Sequence, residues 1–541
     1  MQFELLKPIA DFFVDKNLNL IAPELILTVF FLASVCGVTF AKTDKERFNV
    51  WNYAFLGCLL TLICLLLFWQ TDYFNQASEE SLLVFNNMFK ADSLSVLTRI
   101  LLAGGSLLVL LFSRVFIERA LKETAGEFYV VFLSALLGAM FLSGANDLIM
   151  MFVSLETLSI SSYVMVGMIR GNLASNEAGF KYLLYGGVST AVLLFGLSIL
   201  YGLTGSTQYV GVFTGFIENA SQLSPIVLSM MSVMLLAGIA FKLSAAPFHL
   251  WAPDAYEGGA TPVIAFLSVV SKIAAFVLAV RLFSMIFIGL QGWVPLLSAL
   301  SVLSMVIGNV VALTQKNIKR LLAYSTVAHV GYLLLSFVVM SETALGSLLY
   351  YLITYLFMNL GAFAVVTYFE NTTGSNSIAD YAGLIRKKPL ITLTFSVMLL
   401  SLAGIPITAG FFGKFFIFQA VATSGNQYLW LIVIALLTST ISLFYYLNVI
   451  RLMVIEAPSS KVSALPDKDA WLSSVPPFAT NTVLILCFLM TVLMGIFAEP
   501  TLKVCKAVIN QSVLTHTAIV ASAADGNAVQ SDIKVDIHQK P

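Results

Sequence analysis

An all-α fold that crosses a membrane many times is what this sequence predicts, and three observations carry the prediction. Hydrophobic residues occupy 59% of the 541 positions and charged residues only 11%, where globular domains carry about 25% charged residues. Mean hydropathy is +0.91. Apolar stretches of the ~20 residues needed to cross a hydrocarbon core recur from end to end. No polar stretch exceeds about 35 residues, which leaves no room for a nucleotide-binding domain. Lys+Arg and Asp+Glu balance at 29 each, so nothing points to nucleic acid.

Fourteen spans are read at 19–41, 51–70, 92–113, 126–145, 147–169, 178–203, 225–250, 261–288, 294–314, 321–340, 344–369, 389–424, 428–454 and 477–498. The N-terminus lacks a cleavable leader pattern, which fits a first span that stays in the membrane. Lysine and arginine collect in the connections after odd-numbered spans, from Lys42, Lys45 and Arg47 through Arg170 and Arg386 to Lys461 and Lys468. Connections after even-numbered spans carry almost none beyond Lys90. Positive residues mark the cytoplasmic side, so both termini are expected on the non-cytoplasmic face, with a polar tail over 506–541. Cys36, Cys58, Cys64, Cys487 and Cys505 lie singly in or beside spans. Without a CxxC pair or metal-ligand spacing they point away from iron–sulfur chemistry.

The spans group into three N-terminal helices over 1–125, a five-helix unit over 126–288, a second over 294–454, a loop and last span over 455–505, and the tail. An odd number of helices per unit makes successive units enter the membrane from opposite faces, the layout of inverted repeats. Each unit contains a helix-breaking proline. In GIAFKLSAAPFHLWAPDAYEGGATPVIAFLSVVSK (238–272), Pro247 lacks the N–H the helix needs and its ring clashes with the carbonyl of Leu243. The helix is predicted to break just beyond Lys242. In SLAGIPITAGFFGKFFIF, Pro406 does the same shortly before Lys414. Broken helices are tolerated in hydrocarbon only where protein or a water-lined cavity satisfies the freed backbone groups.

Ionisable residues inside spans point to an ion pathway. Glu156 is a carboxylate in an apolar span, and insertion of such a charge costs at least ~2.5 kcal/mol. It needs a cation, and Lys181 or Lys242 could supply it; the competing reading is a fixed ion pair that pins packing. Lys242, Lys272 and Lys414 form the core of an expected proton relay, since a lysine whose partner is exchanged has a switchable pKa. Snorkelling suits span-end lysines such as Lys316 or Lys387. It does not suit Lys272, about eleven residues into its span, or roughly 16 Å. His249 and His329 could join the lysines into a line, or be hydrogen-bonded filler; they do not make a haem site. Asp254 and Glu257 fall in WAPDAYEGGATP, read as a non-helical turn that either brackets a water-filled opening or is simply a solvated loop. Arg281 reads as an interfacial anchor, and Asn309, Tyr324 and Asn359 as bridges between helices.

The runs FVSLETLSISSYVMVGM, SNEAGFKYLLYGG, AGIAFKLSAAPFHLWAPDAYEGGATPVIAFLSVVSK, NIKRLLAYSTVAHVGY, YLFMNLGAFAVV and LAGIPITAGFFGKFFIF resemble the antiporter-like subunit N (subunit 2) family of respiratory complex I. The resemblance covers about 20 to 500 and is strongest to the cyanobacterial and chloroplast branch, notably in SNEA and GFFGKFFIF. It implies a proton-translocating membrane-arm subunit of an NADH:quinone oxidoreductase, or of the ferredoxin-fed photosynthetic relative. The family's channel glutamate and lysines match Glu156, Lys242, Lys272 and Lys414. The resembling subunit M type typically carries glutamate at the place of Lys414. The subunit L type adds a long lateral helix, and nothing after residue 500 here suits one. The resemblance further implies that FMN, iron–sulfur clusters and the sites for NADH (or ferredoxin) and quinone belong to other subunits, with no cofactor or metal held by this chain. The expected partners are the lipid bilayer and the other membrane-arm subunits, homologous antiporter-like subunits among them, in a bacterial plasma membrane or a thylakoid membrane. A second reading is a multi-subunit cation/proton antiporter without redox chemistry.

Overall fold

A computed structural model describes residues 17–70, 82–219, 224–285, 292–465 and 478–514. Lys468 and the tail beyond residue 514 lie outside the described residues. Among the described residues regular structure is helical, apart from a two-residue hairpin pairing Leu83–Val84 with Phe89–Lys90. The principal helices are α1 (Ala22–Phe40), α2 (Asp44–Gln70), α3 (Ser93–Ala120), α4 (Ala125–Ser143), α5 (Leu148–Val166), α6 (Leu173–Thr204), α7 (Pro225–Leu243), α8 (Trp251–Gly258), α9 (Thr261–Ser284), α10 (Trp293–Ala312), α11 (Ile318–Val339), α12 (Glu342–Thr373), α13 (Pro389–Ala403), α14 (Ala409–Thr423), α15 (Leu429–Val454), α16 (Phe478–Ile496) and α17 (Ala498–Ile509). Among the described residues thirteen helices are long and apolar enough to cross a membrane. The shorter α13 and α14 flank one break and make one further crossing, which gives the fourteen expected.

Helix ends follow local chemistry. Asp92, Asp147, Asn172, Asn317 and Ser341 each accept a hydrogen bond from a first-turn N–H of the helix they precede, satisfying donors with no partner inside the helix. α6 and α12, both 32 residues long, end on Gly205 (φ 67°) and Gly374 (φ 68°), left-handed positions that glycine adopts without penalty. The strand-like bridge Asp147 to Gln208 closes the loop after α6 onto the start of α5, and Asn317 to Ser377 does the same for α12 and α11. α4 packs along α5 and α10 along α11, at glycines: a Cβ at Gly138 would lie 2.6 Å from Leu158 N, and one at Gly308 2.5 Å from Ala328 N. The same construction therefore occurs twice in the chain.

α9, α11 and α12 are almost wholly buried and form the centre, while α1, α2, α6 and α15 present apolar side chains outward, as lipid-facing helices do. Two buried ion pairs fasten the N-terminal helices: Arg99 to Glu24 at 3.1 Å and Arg281 to Asp92 at 2.6 Å. Arg281 is thus a buried tie between α9 and the start of α3, not the interfacial anchor its place near a span end suggested.

Three further expectations change. Residues 251–258 form α8 instead of a non-helical turn, because Pro253 sits in the first helical turn, where its missing N–H costs nothing. Asp254 and Glu257 are not a free solvated pair; Arg320 binds both, at 3.1 and 2.7 Å, and Lys181 binds Asp254 at 2.9 Å. The last helix does not give way to a tail at 506: α17 and a π turn over Asn510–Leu514 continue the chain. They pack back on α12 and α3, with Asn510 donating to Glu342 at 2.6 Å and the Leu94 N–H donating to Ser512.

Candidate functional site

Both predicted breaks are present. α7 ends at Leu243 with Ser244 in the left-handed region (φ 61°), and α13 ends at Ala403 with Gly404 likewise (φ 86°). Each break leaves carbonyls without an intrahelical partner, and in each case a buried lysine takes one. Lys272 Nζ donates to Leu243 O at 2.9 Å and to Ser244 Oγ at 2.7 Å. Lys414 Nζ donates to Ala403 O at 2.9 Å and to Ser439 Oγ at 3.1 Å. A cation at a helix C-terminus is favoured by the helix dipole. The two lysines are 2% and 4% exposed, and neither has a carboxylate partner among the described residues. Trp251 presents its ring 5.8 Å from Lys272 Nζ and Tyr332 its ring 5.0 Å from Lys414 Nζ, adding the attraction of an aromatic face for a cation.

Lys242, in the last turn of α7, donates to Ser159 Oγ and, at 3.2 Å, to Tyr163 OH. Tyr163 reaches it because Gly186 lets α6 lie against the phenol; a Cβ at that glycine would collide with the hydroxyl. Glu156 lies on α5 within two turns of Ser159 and Tyr163, half-buried, and accepts from Thr190 at 3.0 Å. Of the two cations considered for it, neither forms an ion pair with it. Lys242 turns to Ser159 and Tyr163 on the same helix as Glu156, whereas Lys181 is held at the surface by Glu177 at 2.6 Å and Asp254.

His249 is 5% exposed, lies in the break between α7 and α8, and has no partner for Nδ1 among the described residues. The break removes the shared helical face that would have aligned it with Lys242. Its ring meets Tyr324 of α11 at 6.3 Å. His329 sits in mid-α11, 3% exposed, between Tyr351 OH on Nδ1 at 2.5 Å and Tyr446 OH near Nε2 at 3.4 Å. Tyr446 bonds Ser325, and Tyr445 donates to Asn309, which donates to Tyr332 OH at 3.0 Å. Sequence reasoning missed this tyrosine network. Its only signal was LLYYLITYLF and LFYYL on two helices, a pattern shared with ordinary core.

The structure therefore gathers Lys242, Lys272, His249, His329 and Lys414 about the two breaks, leaves Glu156 on the flank beside Lys242, and leaves Lys181 at the rim. No three His, Cys, Asp or Glu side chains of the described residues converge as metal ligands, and the five cysteines are unpaired singletons. That donor set does not fit an iron–sulfur cluster. What the arrangement can do is hold and release protons on lysines inside an apolar bundle.

Broken helices with buried lysines on a fourteen-span bundle define an antiporter-like membrane protein. The model of the NADH:quinone oxidoreductase/Mrp antiporter transmembrane family matches residues 145–442. The NAD(P)H-quinone oxidoreductase subunit 2 of Trichodesmium erythraeum is 39% identical over 97% of this chain and 98% of its own length, and that of Synechococcus elongatus 42% identical over 92% and 93%. A chain in respiratory complex I from Thermus thermophilus with bound aureothin is 30% identical, with TM-score 0.71 over 89% of this chain and 98% of that one. A chain of the Mrp complex from Dietzia shares the fold, with TM-score 0.75 over 93% of this chain and 99% of that one, at 19% identity. The chain belongs to the subunit 2 family of NAD(P)H-quinone oxidoreductases.

Proposed function

We propose that this subunit carries protons across the membrane along Lys242, Lys272, His249, His329 and Lys414, driven by electron transfer in other subunits of a quinone-reducing complex. The observation that carries the reading is the repeated lysine on a broken-helix carbonyl. A buried ammonium held only by neutral oxygens gives up its proton more readily than one locked in an ion pair, and the freed amine can be recharged from its neighbour. Glu156 acts on Lys242 from the flank, so a change in its surroundings alters how firmly Lys242 holds its proton. Lys181 and its carboxylates hold the rim. Against about 100 mV each proton must be raised by roughly 2.3 kcal/mol, a span that a few pKa units at ~1.36 kcal/mol each provide.

The two five-helix units over 126–288 and 294–454 each supply one broken-helix site, with the described helices of residues 17–125 and 455–505 packed around them. NAD(P)H or ferredoxin, FMN, iron–sulfur clusters and quinone act in partner subunits and none binds this chain. The membrane is a plasma or thylakoid membrane, with the arginine- and lysine-bearing connections cytoplasmic or stromal and both termini opposite.

The deciding experiment compares proton uptake and donor-driven quinone reduction in vesicles carrying wild-type or Lys242→Ala complex, with assembly followed by native gel. The expected result is an assembled complex in which both activities are strongly reduced. Normal pumping in an assembled variant would return Lys242 to a packing role. Sodium-dependent proton exchange without any electron donor would instead favour the antiporter reading.

A further inference from the structure

At the first break, helices α4 to α7 and α9 surround a cavity of about 10 Å³ lined by Ser159, Ser162, Tyr182, Lys242 and Ser271 among apolar neighbours. That is about the space one water molecule requires, and the polar lining offers the two or more partners such a water needs. Ser271 stands out on α9. It alone among residues 261–284 is not buried, although the span runs through the centre of the molecule. Ser268 and Ser284 on the same span return their hydroxyls to Ala265 O and Val280 O; Ser271 hydrogen-bonds no described group. It also closes the π turn Leu267–Ser271, directly before Lys272. A π turn inserts one residue and rotates the rest of the helix relative to a regular one. Here it sets Ser271 on the cavity while Lys272 reaches past the break to Leu243 O and Ser244.

We propose that Ser271 is a positioning residue for proton transfer between Lys242 and Lys272. It rests on the relay reading above. The Ser271 hydroxyl orients a water in the cavity with its oxygen toward Lys242 Nζ. The Lys242 ammonium gives one proton to that water while the water passes one of its own onward toward α9. Lys242 is left neutral, the neutral Lys272 amine becomes the ammonium, and Ser271 keeps its own proton. Ser159 and Ser162, whose hydroxyls donate to Leu155 O and Leu158 O, keep lone pairs to accept from the same water.

The test uses the assembled complex in native membranes with Ser271→Ala, with Ser284→Ala as a control on the same helix. Proton pumping and quinone reduction are measured in H2O and D2O. Ser271→Ala is expected to slow both roughly three- to ten-fold, the effect of one lost hydrogen bond on a rate-limiting step, and to raise the solvent isotope effect. Ser284→Ala is expected to change neither. An unchanged rate, or a slowed rate with an unchanged isotope effect, overturns the proposal. If Ser271→Ala lowers the amount of complex, Ser271→Cys, nearly isosteric but a weak hydrogen-bonding group, is held to the same two readouts. Loss of pumping in Lys242→Ala alongside a silent Ser271→Ala would sink this inference alone; pumping by Lys242→Ala would sink the relay itself.

Discussion

The two broken-helix sites are built on one plan and finished differently. At the second, Lys414 stands beside Tyr332, which belongs to a hydrogen-bonded row with Asn309 and Tyr445. A second row joins Ser325, Tyr446, His329 and Tyr351, and the two meet where the rings of Tyr445 and Tyr446 lie 4.4 Å apart. At the first, hydroxyls are short, a cavity separates them, and His249 Nδ1 has no partner among the described residues. The second site is linked by protein hydroxyls, amide and imidazole; the first holds a cavity between its polar groups. A path of fixed hydroxyls holds its geometry, whereas one completed by water can be opened or closed by a small change in volume. Under the proposed relay, the first site would be the place for control and the second for conduction.

Three levels of substitution test this contrast. The largest effect is expected from Lys414→Met, which keeps the volume and removes the charge. Pumping in the assembled complex should fall by at least about a hundred-fold, the usual scale for loss of a proton-transferring group; retained pumping in vesicles would mean that protons leave before the second break. Next, Tyr351→Phe strips the hydrogen bond from the Nδ1 of a histidine packed among tyrosines. The solubilised complex should lose about 1–3 kcal/mol of stability, read as a lower melting temperature. The matching change at the first site, Tyr163→Phe, should cost less, because Lys242 keeps Ser159 and lies beside a cavity; equal losses would erase the distinction. The smallest effect is expected at the helix ends. Gly404→Ala must hold a side chain at φ 86° with its Cβ 3.1 Å from Lys414 Cδ, so roughly 1 kcal/mol of stability should be lost. Ser244→Gly relieves the same backbone strain but removes the Lys272 partner, so there stability should hold while pumping slows.

Much of this was legible in the sequence. Hydropathy located the crossings, the two prolines located the breaks, and lysines deep in apolar spans picked out side chains that lie buried at those breaks, because each of those signals is local. What was not legible was which side chains meet. Glu156 and Lys181 are on neighbouring helices, yet Lys181 turns to Glu177 and Asp254 because those carboxylates lie where α6 reaches the surface. Arg281 seemed to sit at a span end, but Asp92 is buried across from it. Pro253 read as a breaker and instead starts a helix, since its effect depends on whether it falls in the first turn. Periodicity cannot separate a tyrosine that fills core from one that bonds a histidine.

Asp254 is held by Lys181 from α6 of the first unit and by Arg320 from α11 of the second, and it rides on α8, the short helix directly beyond the first break. A carboxylate shared between two cations can let go of one and remain neutralised by the other. α8 is clasped from both halves of the molecule, and since Arg320 also takes Glu257 on the same helix, the clasp fixes where Trp251 presents its ring to Lys272.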